Sequence, residues 1–251
     1  MKDPTPKNRA HWEKESAAYQ AKHGGFLEER PCAWGCWRIP EAELQVLGET
    51  RDRDVLEFGC GGAQWALALA ETGARAVGVD FSKAQLIHGQ RSARERALPI
   101  SLVAGNGERL PFSDASFDIV FCDHGVMSWA RPEPALAEAS RVLRPGGLFA
   151  FCMSTPIRAI SYEDHEDGSY SVTRSFQRPY FELDHDEDEG SIDFQRPYGE
   201  WIRLFRANRF IIEGLVELRP PTAALTTYDD SAPLEWARDF PAEHIWKISR
   251  E

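Results

Sequence analysis

The chain has 251 residues, of which 42% are hydrophobic and 27% charged, as is typical of one α/β domain with an insertion, or at most of two small domains. Asp and Glu number 40 against 29 Lys and Arg, and the resulting net charge of −11 opposes binding to nucleic acid or to an anionic membrane surface. No apolar run approaches the length of a membrane span, and the five cysteines, an odd number, favour free thiols. We therefore expect a cytoplasmic protein.

The chain opens with a predicted helical segment, residues 1–50. Polar and aromatic residues recur at helical spacing over 11–24. Tyr19 and His23 lie four residues apart there, so they share one face of the helix. A Trp-rich stretch broken by two prolines follows, and a second helix is predicted to end near Gly48.

The most distinctive segment is VLEFGCGGAQW, residues 55–65, followed by GVD at 78–80. It predicts a buried strand, a tight glycine turn and a helix, an order that directs free backbone N–H groups and a helix N-terminus at a polar or anionic ligand. Asp80 lies 23 residues after Glu57, at the end of the next strand, where it is placed to accept hydrogen bonds from a ribose. The segment therefore predicts a nucleoside-containing cofactor.

Residues 54–153 alternate regularly between short apolar strands and amphipathic helices. Strands are predicted at 54–58, 75–81, 100–106, 117–123 and 147–153, and helices at 64–72, 83–96 and 134–143. Such alternation is typical of a doubly wound parallel sheet covered by helices on both faces, with its ligand crevice at the carboxyl ends of the strands.

The alternation stops after Met153, and residues 155–200 are predicted to form an insertion. The sequence FQRPY occurs there twice, at 176–180 and 194–198, on either side of a segment with seven carboxylates and no Lys or Arg. This arrangement predicts a β-hairpin across which the two repeats meet. The acidic run from Asp184 to Glu189 favours a solvated loop tip over a divalent cation site, because crowded carboxylates repel one another.

Five parts of the chain together resemble class I S-adenosylmethionine-dependent methyltransferases. They are VLEFGCGG, GVDFS, AGNGERLPFSDASFDIVFCD, RVLRPGGLFAF and a closing pair of strands predicted at 210–218 and 244–249, after a helix at 199–210. The glycine turn alone is a weak signal, because nucleotide-binding dehydrogenases share it, whereas LPFSDASFDIV followed by VLRPGGLF is much more specific. The resemblance is close over 53–153 and implies a Rossmann-like, seven-stranded, mostly parallel sheet in a methyltransferase domain at 51–251.

The resemblance also implies S-adenosylmethionine as the cofactor and gives roles to residues by position. Glu57 and the backbone of the glycine turn would hold its methionine end, and Asp80 would accept from both ribose hydroxyls. Asn106 and Gly107 stand where the family often has Asp-Ala, so an amide replaces a charge beside the adenine. The full set of implied cofactor contacts is Tyr19, Glu57, Gly59, Cys60, Gly61, Asp80, Phe81, Asn106, Gly107, Glu108 and Asp123.

The N-terminal segment and the insertion are predicted to cover the acceptor. Tyr19 is expected in a lid over the cofactor, with Trp34 and Trp37 near the acceptor, and packing against the sheet is the competing interpretation for these rings. In the insertion, Tyr180 and Tyr198 are candidates for orienting a small aromatic or polar acceptor. The arginines of the two repeats would either assist them or only pair with the acidic tip.

His124, directly after the fourth predicted strand, is the candidate catalytic base. Methyl transfer from a sulfonium is an in-line displacement, in which the protein brings the nucleophile within ~3–3.5 Å of the methyl carbon. A base adds ~10²–10⁴-fold when the acceptor must lose a proton, and an imidazole with an ordinary pKa near ~6.5 suits that task. The alternative is a histidine that only hydrogen-bonds the cofactor or the strand end. Cys32 and Cys36 lack a second pair of ligands, so no metal site is predicted.

The sequence thus favours a methyltransferase that acts on a small molecule, with no nucleic-acid or membrane partner. Three alternatives stay open: an enzyme that uses the sulfonium for different chemistry, a non-catalytic cofactor-binding protein, and a dehydrogenase. For the dehydrogenase, NAD rather than S-adenosylmethionine would raise the melting temperature. The acceptor, the methylated atom and the oligomeric state are not determined by the sequence.

Overall fold

Helix α1 (Thr5–Glu29) opens the fold and is longer than the predicted 11–24. It starts after Pro4, with a second proline in its first turn, where the missing N–H of proline costs no helical hydrogen bond. The residues that α1 buries are mainly polar: Asn8, Ser16, His23 and Gly24. The computed structural model describes residues 3–165, 170–188, 190–228 and 231–251.

The remaining elements follow in chain order. Before the central sheet lie β1 (Ala33–Trp34), β2 (Ile39–Pro40) and α2 (Glu41–Leu44). The alternating region contains β3 (Asp54–Phe58), α3 (Gln64–Glu71), β4 (Arg75–Asp80), α4 (Lys83–Glu95), β5 (Ser101–Ala104), β6 (Phe117–Asp123), α5 (Val126–Trp129), α6 (Pro132–Val142) and β7 (Leu143–Ser154). After it come α7 (Pro156–Ile160), β8 (Tyr162–Asp164), β9 (Tyr170–Val172), β10 (His185–Glu187), β11 (Ile192–Phe194), α8 (Tyr198–Ala207), β12 (Phe210–Glu217), α9 (Leu234–Asp239) and β13 (Glu243–Arg250).

The central sheet has seven strands in the order β12-β13-β7-β6-β3-β4-β5. Strands β3 to β7 are parallel to their neighbours among themselves, whereas β13 is antiparallel to both β7 and β12. The fold predicted from the sequence, a doubly wound and mostly parallel sheet closed by an antiparallel hairpin, is confirmed. The chain reverses its direction of winding between β3 and β6, so the ligand crevice is expected where those two strands end.

Both faces of the sheet are covered by apolar layers. On one face Trp34, Trp65 and Phe121 pack together, with the two indole rings 4.9 Å apart. On the other face Phe58 and Phe149 pack under helices α6 and α8. Because both faces of the sheet are covered, the side chains of the central strands are apolar on both sides, and these strands are nearly continuous apolar sequences.

The insertion contains a β-hairpin, as predicted, but the FQRPY repeats do not form its strands. Strands β10 and β11 pair with His185 opposite Phe194, so only the second repeat contributes to the ladder. A proline in each repeat removes a backbone donor, which makes a ladder between the repeats unfavourable. The repeats meet instead through their tyrosines, since the backbone N–H of Tyr198 donates to Tyr180 Oη at 2.8 Å.

The acidic run is neutralised rather than simply solvated. Arg196 pairs with Asp184, and Arg178 Nη1 lies 2.9 Å from Asp186 Oδ1. The arginines of the repeats therefore stabilise the insertion, one of the two roles that the sequence left open. Glu189, at the end of the run, lies outside the described residues.

Across the described ranges of the chain, no helix is both long and apolar enough to cross a membrane.

Candidate active site

The glycine turn after β3 is built for close backbone contact. Gly59 has φ of +87°, and a Cβ placed there would lie 2.5 Å from the backbone nitrogen of Val126. Gly61 has φ of +50° and donates its N–H to Asp80 Oδ2 at 2.9 Å. The turn after β3 and the turn after β6 thus touch through backbone atoms, an approach that a side chain at Gly59 would prevent.

Glu57 and Asp80 are buried carboxylates on either side of this turn. Glu57 Oε2 accepts the N–H of Ala66 in the first turn of α3 at 2.9 Å. Burial raises the pKa of Glu57 well above its usual range, and the charges of Asp123 and Asp80 add to this. Both carboxylates therefore lie where polar groups of a ligand would relieve the cost of burial.

Asp80 is fixed by two backbone donors. Its Oδ2 accepts from Gly61 and its Oδ1 accepts from Ser82, at 2.9 and 2.8 Å. Burial raises the pKa of Asp80 to about 6, against the lowering effect of these hydrogen bonds. The residue is held at the end of β4 with oriented oxygens, as the ribose role requires.

Cys60 has a packing role in the turn. Its Sγ is so close to the backbone of β4 that a Cβ on Gly78 would lie 2.8 Å from it. Burial raises the pKa of the Cys60 thiol well above its usual range. Its backbone N–H donates to Val79 O at 3.0 Å.

The residues predicted to surround the adenine lie together after β4 and β5, and most already have partners. Phe81 is half-buried beside the end of β4. The side chain of Asn106 donates to Thr5 Oγ1 at 3.3 Å and accepts the N–H of Glu108 at 2.9 Å. The Glu108 carboxylate accepts from the backbone and guanidinium of Arg131. Glu108 therefore orders this loop.

Helix α1 lies over the ends of α3 and α4, which start at the cofactor edge. Gln20 donates to Gln85 at 2.7 Å and accepts from Gln64 at 2.9 Å. The Glu13 carboxylate accepts the N–H groups of Lys83 and Ala84, at 2.7 and 3.1 Å. These contacts hold α1 against the first turns of α3 and α4.

Two buried polar atoms on the inner face of α1 have no hydrogen-bond partner among the described residues. They are Trp12 Nε1 and Ser16 Oγ. Ser16 shares its helix face with Glu13 and Gln20, which contact α3 and α4. Buried donors and acceptors are normally paired, so this face fits a polar ligand such as S-adenosylmethionine between α1 and the sheet.

A row of aromatic rings continues from α1 toward the end of β6. Tyr19 Oη lies 2.8 Å from Tyr228 Oη, and His23 stacks on the Tyr228 ring with centroids 4.3 Å apart. Trp12 packs edge-on against both Tyr19 and Trp129. Trp12, Trp129 and Tyr228 were not identified from the sequence. Trp12 was detectable, because it lies seven residues before Tyr19 on the same helix face, whereas Tyr228 carries no local signal.

His124 has a strained backbone, with φ of +51°, and a carboxylate partner. Its Nε2 lies 2.6 Å from Oε1 of Glu243, the first residue of β13. The His124 side chain is 34% exposed, and that of Glu243 is 1% exposed. Burial opposes the imidazolium, yet Glu243 raises the pKa of His124 above its usual value. Despite burial, the hydrogen bond and charge of His124 lower the pKa of Glu243 to about 2. No sequence motif indicated that Glu243 belongs to the site.

Asp123, beside His124, lies in a nest of donors at the end of β6. Its carboxylate accepts from Gly35 N at 3.1 Å, and from Arg38 Nη1 and Trp65 Nε1 at 3.4 Å each. The N-terminal hairpin of β1 and β2 thereby contacts the edge of the crevice.

The other acceptor-side candidates have packing partners of their own. Trp34 is fully buried and donates from Nε1 to Glu41 Oε2 at 2.6 Å, and Trp37 is buried in the same layer. These positions correspond to the packing interpretation. Tyr198 packs with its ring against His244, and neighbouring strand residues point to opposite faces. Tyr180 and Tyr198 therefore lie on the face of β13 opposite to Glu243.

The sequence comparisons agree with this fold. Residues 56–151 match the family described as the methyltransferase domain. Over these residues the chain is similar to methyltransferase domains, in agreement with the resemblance found in the sequence.

Among solved structures, an S-adenosylmethionine-dependent methyltransferase from Mesorhizobium loti superposes with a TM-score of 0.68 at 19% identity, over 83% of this chain and 96% of that one. At that identity the similarity establishes the fold.

Similar curated proteins include demethylmenaquinone methyltransferases. That of Geobacillus kaustophilus is 32% identical over 57% of this chain and 61% of its own length. That of Bacillus velezensis is 34% identical over 47% of this chain and 52% of its own length. The chain therefore spans between half and two thirds of the length of these relatives, and the N-terminal segment and insertion lie outside the family match.

Proposed function

We propose that the protein transfers the methyl group of S-adenosylmethionine to a small-molecule acceptor. The observation that carries the proposal is the convergence of the Gly59 turn, Asp80 and His124 at the carboxyl ends of β3, β4 and β6, on the edge that α1 covers. The sulfonium of the cofactor, when bound, supplies both the methyl group and the leaving group. The protein then has to position the acceptor, exclude water and accept a proton.

The cofactor site is formed by the turn and two buried carboxylates. Asp80 would accept from the ribose hydroxyls, and Glu57, with the Gly59–Gly61 backbone, would hold the methionine end. Asn106 and Gly107 would lie along the adenine, with Phe81 beside it. Helix α1 would close over the ligand, because Ser16 and Trp12 offer it buried polar atoms that have no other partner among the described residues.

His124 is the proposed base. Its ring follows β6 directly, is partly exposed, and is held by Glu243 at 2.6 Å. A ring fixed in this way can take a proton from an acceptor hydroxyl or amine without losing its orientation, since the carboxylate stabilises the imidazolium. Asp123 would line the opening between cofactor and acceptor.

The acceptor is proposed to be a flat aromatic or quinone-like molecule. Trp12, Tyr19, Trp129 and Tyr228 form a wall of rings beside the crevice, and aromatic rings bind one another by offset or edge contacts. The curated relatives are named for demethylmenaquinone, which belongs to that chemical class. We propose that the reaction takes place in the cytoplasm without a nucleic-acid partner.

The test is a mass-spectrometric screen with S-adenosylmethionine carrying a labelled methyl group. Phenols, quinols, indoles and amines are incubated with the full chain, and products that gain the label are identified. We expect at least one aromatic acceptor to be methylated. Cofactor binding by calorimetry without label transfer to any member of the panel would instead support a non-catalytic binding protein.

A further inference from the structure

Three side chains typical of metal ligands converge at the start of β13. They come from distant parts of the chain: Cys36 from the turn between β1 and β2, His124 from the end of β6, and Glu243 from β13. Their ligand atoms all lie within 4.8 Å of one another. Glu243 Oε1 is 2.6 Å from His124 Nε2 and 3.0 Å from Cys36 Sγ.

We propose that Cys36, His124 and Glu243 form a binding site for one thiophilic divalent cation, represented by Zn²⁺. A thiolate, an imidazole nitrogen and a carboxylate oxygen are the three ligand types that zinc uses in proteins. Three protein ligands with one open position are the arrangement of accessible zinc sites, whereas closed structural sites use four. The 34% exposure of His124 provides both an entry path and the open position.

The spacing is compatible with a tetrahedral ion. Zinc bonds of ~2.0–2.3 Å place neighbouring ligand atoms roughly 3.3–3.6 Å apart. The distances from Glu243 Oε1 to His124 Nε2 and to Cys36 Sγ would each have to increase by roughly half an ångström or slightly more to admit the ion. Side-chain rotation of Cys36 and His124, which are not fully buried, can supply that change.

The surroundings of Glu243 support the assignment. Its Oε1 accepts the backbone N–H of Cys36 at 2.9 Å, the kind of outer hydrogen bond that orients a ligating carboxylate. Its Oε2 is buried and has no hydrogen-bond partner among the described residues. Gly35 permits this packing, because a Cβ there would lie 2.7 Å from Oε2. A buried carboxylate oxygen without a donor is a group that a cation would satisfy.

A second group around His124 is less suited to an ion. Ligand atoms of Asp123, His124 and Cys152, one from each, also lie within 4.8 Å of one another. However, the Asp123 carboxylate already accepts from Gly35, Arg38 and Trp65. The Cys36 group is therefore the one that we assign.

The ion would affect the proposed reaction. In the proposed base, Nε2 of His124 carries the proton that it donates to Glu243, and Nδ1 holds the lone pair that accepts a proton. Zinc bound at Nε2 would replace that proton, and the neutral ring would then carry its proton on Nδ1, so a bound ion prevents His124 from acting as a base. Zinc is therefore expected to lower the methylation rate, and a chelator to restore it. This consequence rests on the proposed function, whereas ion binding itself does not.

Binding is tested on the reduced full chain with no cofactor or acceptor present. Co²⁺ absorption reports sulfur ligation, and Zn²⁺ affinity is measured by competition with a chromophoric chelator. We expect one ion per chain and a sulfur-to-cobalt charge-transfer band. Cys36→Ser is expected to abolish the band and to weaken Zn²⁺ binding roughly 100-fold or more, since changes in the outer shell alone cost ~10–100-fold. Cys32→Ser, four residues away, is the matched control and should bind as the original chain does.

Any of three outcomes would overturn the proposal. They are the absence of saturable Zn²⁺ binding to the folded chain, equally tight binding by Cys36→Ser and Cys32→Ser, and loss of the ion in Cys152→Ser while Cys36→Ser keeps it. His124→Ala removes a partly exposed ligand and gives a second, independent reading if Cys36→Ser does not fold. A chain that binds Zn²⁺ but not S-adenosylmethionine refutes the proposed function alone, and one that methylates without binding Zn²⁺ refutes only the metal site.

Discussion

The cofactor side and the acceptor side of the crevice are built in different ways. On the cofactor side, the partners within the glycine turn and its two carboxylates are close in sequence: Gly61 and Asp80 are 19 residues apart, and Glu57 and Ala66 are 9 apart. On the acceptor side, Tyr19 bonds Tyr228 across 209 residues and Cys36 bonds Glu243 across 207. The first region is a local motif on the sheet, and the second is assembled only when the whole chain has folded.

This difference separates two kinds of function. The family match covers 56–151 and so contains the turn and Asp80, which are proposed to bind the methyl donor, as well as His124, the proposed base. The α1 helix, the hairpin that carries Cys36, and Glu243 lie outside it. Under the proposed function, the donor site lies mainly in the matched region, and the acceptor is set mainly by segments outside it.

The largest expected effect is at the junction of the two regions. His124→Ala should lower kcat by ~10²–10⁴-fold, the usual contribution of a positioned base, while the S-adenosylmethionine Kd stays within a few-fold. Single-turnover methylation and calorimetry measure the two quantities. His165→Ala, on the exposed surface of the insertion, is the control and should leave kcat unchanged. Unaltered turnover in His124→Ala would favour an electron-rich carbon acceptor that needs no base.

A substitution in the glycine turn on the cofactor side should affect both the stability of the fold and the binding of the donor. Gly146 has φ of +76° and open space for 4 Å around the position that a Cβ would take, whereas Gly59 has φ of +87° and backbone atoms at 2.5 Å. Gly146→Ala should cost ~1–2 kcal/mol of unfolding free energy from the left-handed backbone. Gly59→Ala should cost a further ~1–3 kcal/mol from overpacking and should weaken cofactor binding. Denaturant unfolding compares the two variants, and equal costs would argue against the tight contact between the two turns.

The pH dependence of donor binding should follow Asp80. Its pKa is raised to about 6, so the carboxylate is charged above that pH and able to accept from a ribose. As the pH falls below 6, S-adenosylmethionine affinity should fall by up to about tenfold per pH unit, as Asp80 takes up a proton. Calorimetry across this range measures the effect. In Asp80→Asn the titrating group is gone, and a pH profile identical to that of the original chain would contradict the assignment.

The smallest expected effect is on the acceptor side. Tyr19→Phe and Tyr228→Phe each remove one hydroxyl of a 2.8 Å pair and should each cost ~1 kcal/mol of unfolding free energy. The double variant should cost clearly less than the sum, because the second change removes a group that has already lost its partner. Thermal or denaturant unfolding of the original chain, the two single variants and the double variant completes this double-mutant cycle. Additive costs would mean that the two hydroxyls do not act as a pair.

The same contrast explains what the sequence could predict. Glu57, Gly59 and Asp80 could be proposed from the sequence because strand, turn and carboxylate occur at short, fixed spacings. Glu243 could not be identified, since it is one acidic residue in a short terminal strand and gains its role from a partner 119 residues away. Trp34 was assigned to the acceptor, but it fills the core, because a Trp-rich segment gives no sign of which face it presents.

The predicted pairing of the FQRPY repeats failed for a physical reason. Each repeat contains a proline, which cannot donate to a ladder, and the arginines of the repeats are taken up by the acidic segment between them. The repeats therefore meet through a single tyrosine contact.

The most direct test of the central claim is ligand-dependent thermal unfolding of the full chain. Saturating S-adenosylmethionine, and separately NAD, are added to the chain and to Asp80→Asn. A ligand that binds the native state raises the melting temperature. At a concentration of one hundred times its Kd, it adds ~2.7 kcal/mol to the free energy of unfolding. We predict a clear rise with S-adenosylmethionine, no rise with NAD, and a reduced response in Asp80→Asn. A rise with NAD and none with S-adenosylmethionine would contradict the account.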